Sequence, residues 1–198
     1  MEERFAKIMK TLQIKPSLLF RTDFSSTKEL YSYAKKKIID CAKKENKEYL
    51  IIANTKTNKI LFEKMGDEAS VDIREFSFPE DEKNNIALIH GHVTNYASVL
   101  SPTDCWHICN EKYGKIIAIN KKGRFSLLQR KSDSNTEEAK KFFKYGIYFQ
   151  EPDFLPKNFI KKWFITTFVN NERFYEKWIK HVVEKPKMNF RYFSTMFK

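Results

Sequence analysis

Two pairs of short apolar runs, each joined by a few polar residues, constrain the fold of this 198-residue chain more than any other feature. Residues 48–53 and 59–63 flank a polar turn at 54–58, and residues 115–120 and 124–129 flank Lys121-Lys122-Gly123. Connections this short reverse the chain into a neighbouring antiparallel strand. Helical patterns are interleaved with these hairpins. Ser26 and Glu29 give a Ser-x-x-Glu helix start, in which each side chain is expected to bond a free backbone N–H. Leu30, Ala34, Ile38 and Cys41/Ala42 then recur at helical spacing, and the helix should end near Asn46. Further strands are expected at 71–76 and 86–90, with a charged loop at 79–85 between them. A helix should open at Ser101-Pro102-Thr103-Asp104 and stop at Gly114 in a left-handed turn. A short helix at 4–12, an extended stretch at 17–21 and helices at 136–145, 157–169 and 171–183 complete the reading. Helices mixed with hairpins predict an α+β fold rather than a doubly wound parallel sheet.

Only 5 glycines, and no Gly-rich loop after any strand, leave nucleotide-dependent chemistry without support. No apolar run approaches the roughly 20 residues of a membrane helix, so no membrane partner is expected. Cys41, Cys105 and Cys109 cannot all pair within the chain, and the N-terminus has no secretory apolar stretch; a reduced, cytoplasmic setting is expected. Cys105, Ile108 and Cys109 share one helix face and read as core, with His107 pointing elsewhere. The net charge is +12, and residues 154–198 hold ten basic and three acidic residues with 12 of the 30 aromatics. Such a tail can bind phosphate backbones and stack on bases, which makes nucleic acid a partner to weigh. His181, among basic residues of that tail, reads as solvent-facing.

Chemistry concentrates at His90-Gly91-His92, at the exit of an apolar strand. Residues i and i+2 of a strand share a face, so two imidazoles can clamp one divalent ion. Glycine between them is expected to let the backbone bend. Asp104 follows twelve residues after His92, in the first turn of the next helix, where a loop can carry it back over the strand end. Two histidines and a carboxylate, with a fourth position left for water, make a catalytic rather than a structural zinc pattern. Glu48, at the start of an upstream apolar strand, is the candidate base, although a charged residue there is often just a solvated strand edge.

His90-Gly91-His92, eight residues, Ser101-Pro102-Thr103-Asp104 and the upstream Glu48 together resemble the JAMM superfamily of metalloproteases, also called JAB or MPN-plus. The bacterial and phage or mobile-element branches are the most similar. The family spaces its motif with seven residues where this chain has eight, and often has proline where Val93 stands. The resemblance covers about residues 27–130 and implies a mixed sheet flanked by helices. It divides the chain into an N-terminal segment 1–26, a JAMM-like domain 27–130 and a basic, aromatic-rich helical extension 131–198. It implies Zn2+ on His90, His92 and Asp104, Glu48 as general base and Ser101 as a donor to the oxyanion. The implied activity is hydrolysis of a peptide or isopeptide bond in a protein or peptide substrate, for instance a ubiquitin-like conjugate. Two other functions fit the residues: a JAMM-like module that docks a partner without turnover, and a nucleic-acid-associated protein of a mobile element. The extension from Phe154 onward is expected to dock a partner rather than to complete the core.

Overall fold

The computed structural model describes residues 23–68, 70–73, 76–77, 80–93, 100–109, 113–150, 172–185 and 188–195. Helix α1 (Thr27–Lys44) leads into strands β1 (Tyr49–Asn54) and β2 (Lys59–Met65). A 3-10 helix at Glu80–Asn85 precedes β3 (Ile86–His92), which is followed by helix α2 (Pro102–Ile108), β4 (Lys115–Asn120) and β5 (Phe125–Arg130). Helices α3 (Thr136–Gln150) and α4 (Glu172–Val183) and strand β6 (Phe190–Ser194) close the order. One six-stranded sheet runs β2-β1-β3-β4-β5-β6, with β3 and β4 parallel and every other neighbouring pair antiparallel. The fold is therefore α+β with a mixed sheet.

Both hairpin turns are held by the asparagine that opens them. Asn54 Oδ1 accepts from the N–H groups of Lys56 and Thr57 at 2.9 and 3.1 Å. Asn120 Oδ1 accepts from those of Lys122 and Arg124 at 3.0 and 3.1 Å. Gly123 supplies the positive φ (+76°) that the second turn needs.

Strand alternation sorts the apolar residues into two layers. Ile51, Ala53, Ala87, Ile89, Ile117 and Ile119 meet the Leu30–Ala34–Ile38 stripe of α1 on one face. On the other face Leu50, Ile52, Leu88 and Ile116 meet Cys105 and Ile108 of α2 and Phe143 of α3. Because β3 and β4 are parallel, the chain between them must cross over the sheet, and α2 lies in that crossover. This topology brings the first turn of α2 over the end of β3. Leu100, fully buried, donates its N–H to Ser126 Oγ of β5 at 3.1 Å and fixes where the crossover lands.

Several expectations change. Ser26 caps α1 and accepts from Glu29 N–H, but the Glu29 carboxylate turns back to Ser25 N–H and Oγ, at 2.9 and 2.8 Å, instead of closing the box on Ser26. Val71 and Ile73, expected in a strand, make no ladder among the described residues; with Phe76 they pack on the α2 face of the sheet. Phe76 N–H donates to the Ile73 carbonyl at 3.1 Å. The charged loop before β3 is a 3-10 helix, and β3 runs two residues past His90 to His92. Gly91 therefore marks no bend. It pairs with Ile119 in the parallel ladder, and a Cβ on it would lie 2.6 Å from Ile38 Cγ2 of α1. The residue is glycine because the helix packs directly on it. Gly114 is likewise no left-handed cap: α2 ends at Cys109, and Gly114 sits against the backbone of Asn84.

The extension also departs from expectation. Strand β6, absent from the sequence reading, pairs with β5 from Ser126↔Ser194 to Arg130↔Phe190. Ala139, Phe143, Ile179, Val183, Met188, Phe190 and Tyr192 belong to the same core cluster as Leu50 and Ile116. The described part of 131–198 thus completes the sheet and shares its core, because these apolar residues are buried rather than facing solvent. The stretches read as 4–12, 17–21 and 157–169 lie outside the described residues.

Candidate metal centre

His90 and His92 both project from β3 toward α2, as i, i+2 residues must. Asp104 is the third residue of α2, and a reciprocal capping box locks it there. Its Oδ2 accepts from Ser101 N–H at 2.7 Å and from Ser101 Oγ at 2.8 Å, while Asp104 N–H donates to Ser101 Oγ at 3.1 Å. With Oδ2 held by Ser101, Oδ1 faces the histidines, 3.3 Å from His90 Nε2. The two Nε2 atoms are 3.0 Å apart, and His92 Nε2 is 3.9 Å from Oδ2. One ligand atom from each of the three residues lies within 4.8 Å of the others. A zinc ion at about 2.0–2.1 Å from tetrahedral ligands separates them by roughly 3.3 Å, so the donor set and its spacing fit such an ion.

The electrostatics suit a site that trades protons for a cation. Burial pushes the Asp104 carboxyl up, but His90 by charge and hydrogen bond, then His92 and the Ser101 hydroxyl, outweigh it and hold it well below the carboxylate range. Burial pushes His90 down, yet Asp104, by charge and hydrogen bond, and Glu48 leave it raised. Among the described residues, buried His90 Nδ1 has no hydrogen-bond partner.

Glu48 stands one residue before β1 and half-buried, in the same pocket as the triad. Its backbone ties it down: its N–H donates to the Asp67 carbonyl at 2.7 Å and its carbonyl accepts from Gly66 at 2.9 Å. Burial first, with the charges of Asp104 and Asp67, lifts its carboxyl to about 7 against the pull of His90. A carboxyl poised near neutrality can both take and give a proton.

The pocket measures about 390 Å³ and collects His90, His92, Asp104, Glu48 and Ser101 from three different segments. No protein-family model, curated protein or solved structure matches this chain. The site therefore rests on its own geometry. All five residues singled out by spacing line this one pocket. The Ser101 hydroxyl, however, donates to Asp104 and orients its carboxylate. Thr103 and His107 of α2 also line the pocket and were missed. The signal existed, since His107 lies three residues after Asp104 and shares its helix face. Cys105 and Cys109 are buried in the core as expected, and His181 is exposed on α4.

Proposed function

We propose that this protein is a zinc-dependent hydrolase of amide bonds, a peptidase or isopeptidase of the JAMM kind acting on a protein or peptide substrate. The observation that carries this reading is the convergence of a His-His-Asp donor set and the Glu48 carboxyl in one pocket. Zinc held by His90, His92 and Asp104 would supply Lewis acidity toward the scissile carbonyl and lower the pKa of water at the site. Glu48 takes a proton from the attacking water. The hydroxyl stays on the carbonyl carbon, the C–N bond breaks, and Glu48 returns the proton to the leaving nitrogen. Ser101 is a positioning residue for Asp104; serving an oxyanion as well requires its hydroxyl to leave Oδ2.

The test separates holding metal from moving protons. Glu48→Gln keeps the shape of the pocket but cannot accept a proton. It should retain about one zinc per chain by metal analysis while turnover of amide substrates falls by 10²-fold or more. Wild-type turnover in that variant removes Glu48 as the base, and a zinc-loaded wild type with no turnover on any peptide or isopeptide leaves a docking module.

A further inference from the structure

The pocket has two unlike halves. Its metal half is polar. In the other half Leu50, Leu88 and Ile116 line the pocket from three adjacent strands and Val71 and Ile73 line it from the chain after β2; Leu50 pairs with His90 across the β1–β3 ladder, so this half abuts the histidines. This wall is built, not incidental. Asp67 Oδ1 accepts Ser70 N–H at 2.7 Å, and Asp67 N–H bonds the Ser70 carbonyl at 3.0 Å, closing a tight loop immediately before Val71. Glu48 N–H holds the Asp67 carbonyl, so the residue proposed as base also anchors the wall. A Cβ on Gly66 would lie 2.0 Å from the Ser70 carbonyl oxygen and 2.6 Å from Val71 Cγ2, so only glycine lets the loop close this far.

We infer that this half is a subsite for an aliphatic side chain of the substrate residue next to the scissile amide, so that the preferred substrates carry a leucine-sized residue there and not glycine. The inference rests on the hydrolase reading for the word "scissile" but on the pocket alone for the side chain. Three features argue for that occupant. The apolar wall adjoins the histidines: Leu50 is the cross-strand partner of His90, and Leu88 stands two residues before it on the same face of β3. The whole pocket, about 390 Å³, is at the small end of ligand sites, which run from roughly 300 to 1,000 Å³, so it fits a residue or two and not a folded surface. The wall residues named present methyl groups and no charge, which penalises a polar side chain. Each methylene placed in such a wall is worth roughly tenfold or more in discrimination, so leucine against glycine should be separated by at least that factor.

Two measurements decide it on the full-length, zinc-loaded protein. In the first, saturation-transfer NMR compares N-acetyl-leucine methylamide with N-acetyl-glycine methylamide, which needs neither turnover nor metal. The leucine methyls should receive saturation and bind at least tenfold tighter; Val71→Trp, which fills the wall, should abolish this with zinc content unchanged. Ile73→Trp is the second variant if the first melts early. In the second, quenched-fluorescence peptides carry leucine or glycine on either side of the cleaved bond, and kcat/KM should favour leucine on one side by at least tenfold, the ratio falling toward one in the tryptophan variants. Equal response to the two probes, or leucine preference that survives both variants, overturns the subsite. NMR selectivity with no cleavage of any peptide sinks the hydrolase reading and leaves the subsite standing. Cleavage indifferent to leucine and glycine does the reverse.

Discussion

Asp104 shows how one side chain can serve folding and chemistry together. One oxygen completes the cap of α2, and the other faces His90. Asp104→Asn keeps an acceptor for Ser101 but removes the charge, so it should still fold at pH 8 and yet lose most of its zinc on dialysis. Full zinc retention measured by plasma emission would rule Asp104 out as a ligand. The same charges set a pH profile for the metal-free protein. Asp104, with its lowered pKa, contributes stability that is present above its ordinary 3.8 and is lost as pH falls through the folded value. His90, with its raised pKa, contributes stability that is present below 6.5 and is lost as pH rises through its folded value. Glu48 acts in the same direction, its contribution fading as pH rises from 4.5 through about 7. In EDTA, the Tm of the wild type relative to Asp104→Asn should therefore be greatest near pH 4–5 and shrink toward pH 8. Zinc should invert the trend, because binding displaces the His90 proton and strengthens as pH rises. A wild-type advantage in EDTA that grows toward pH 8 would contradict this account.

Among elements, β3 carries the most demands: two ladders, a helix on one face and the site on the other. Gly91 is where they collide. Gly91→Ala forces its methyl against Ile38 at 2.6 Å, and overpacking of this kind costs about 1–3 kcal/mol. Chemical denaturation should show that loss, and the double variant Gly91→Ala, Ile38→Val should recover part of it; no recovery would mean that the backbone, not Ile38, takes the strain. What was readable in the sequence follows from the same physics. The hairpins were legible because Asn and Gly stand where local turn geometry needs them, and α1 because its buried stripe has one strict period. The site was legible because strand and helix periods alone put His90 beside His92 and Asp104 at a helix start. What stayed hidden depended on distant partners. Nothing local tells that Gly91 lies under Ile38, or that Val71 and Ile73 line a pocket instead of joining a ladder. Strand β6 was missed because exposed Phe193 is as apolar as buried Phe190 and Tyr192, which blurs the alternation.

At the scale of the whole molecule, the described part of the basic C-terminal region is built into the sheet and its core. Its charge suggested a docking arm, but its apolar residues lie elsewhere. Ile179 and Val183 of α4 are fully buried, and Met188, Phe190 and Tyr192 are 4%, 1% and 6% exposed in the core that also holds the floor of the pocket. Fully burying one such aliphatic or aromatic side chain is worth about 1.5–3 kcal/mol, and a whole domain is stable by only about 5–15 kcal/mol. Five together approach or exceed the entire margin. Removing β6 also strips β5 of five paired residues and leaves an exposed edge, which favours aggregation. A chain truncated after Asp153 should therefore be insoluble or should lack a cooperative melt and near-ultraviolet dichroism. In the full-length chain Phe190→Ala, a single buried aromatic truncation, should cost about 3–5 kcal/mol in denaturant unfolding and leave the zinc content of the folded fraction unchanged. A soluble 1–153 fragment that melts cooperatively and binds one zinc would show that the strands from β1 to β5 hold the core by themselves. The basic charge would then be free to serve a partner, with β6 a strand the sheet can lose.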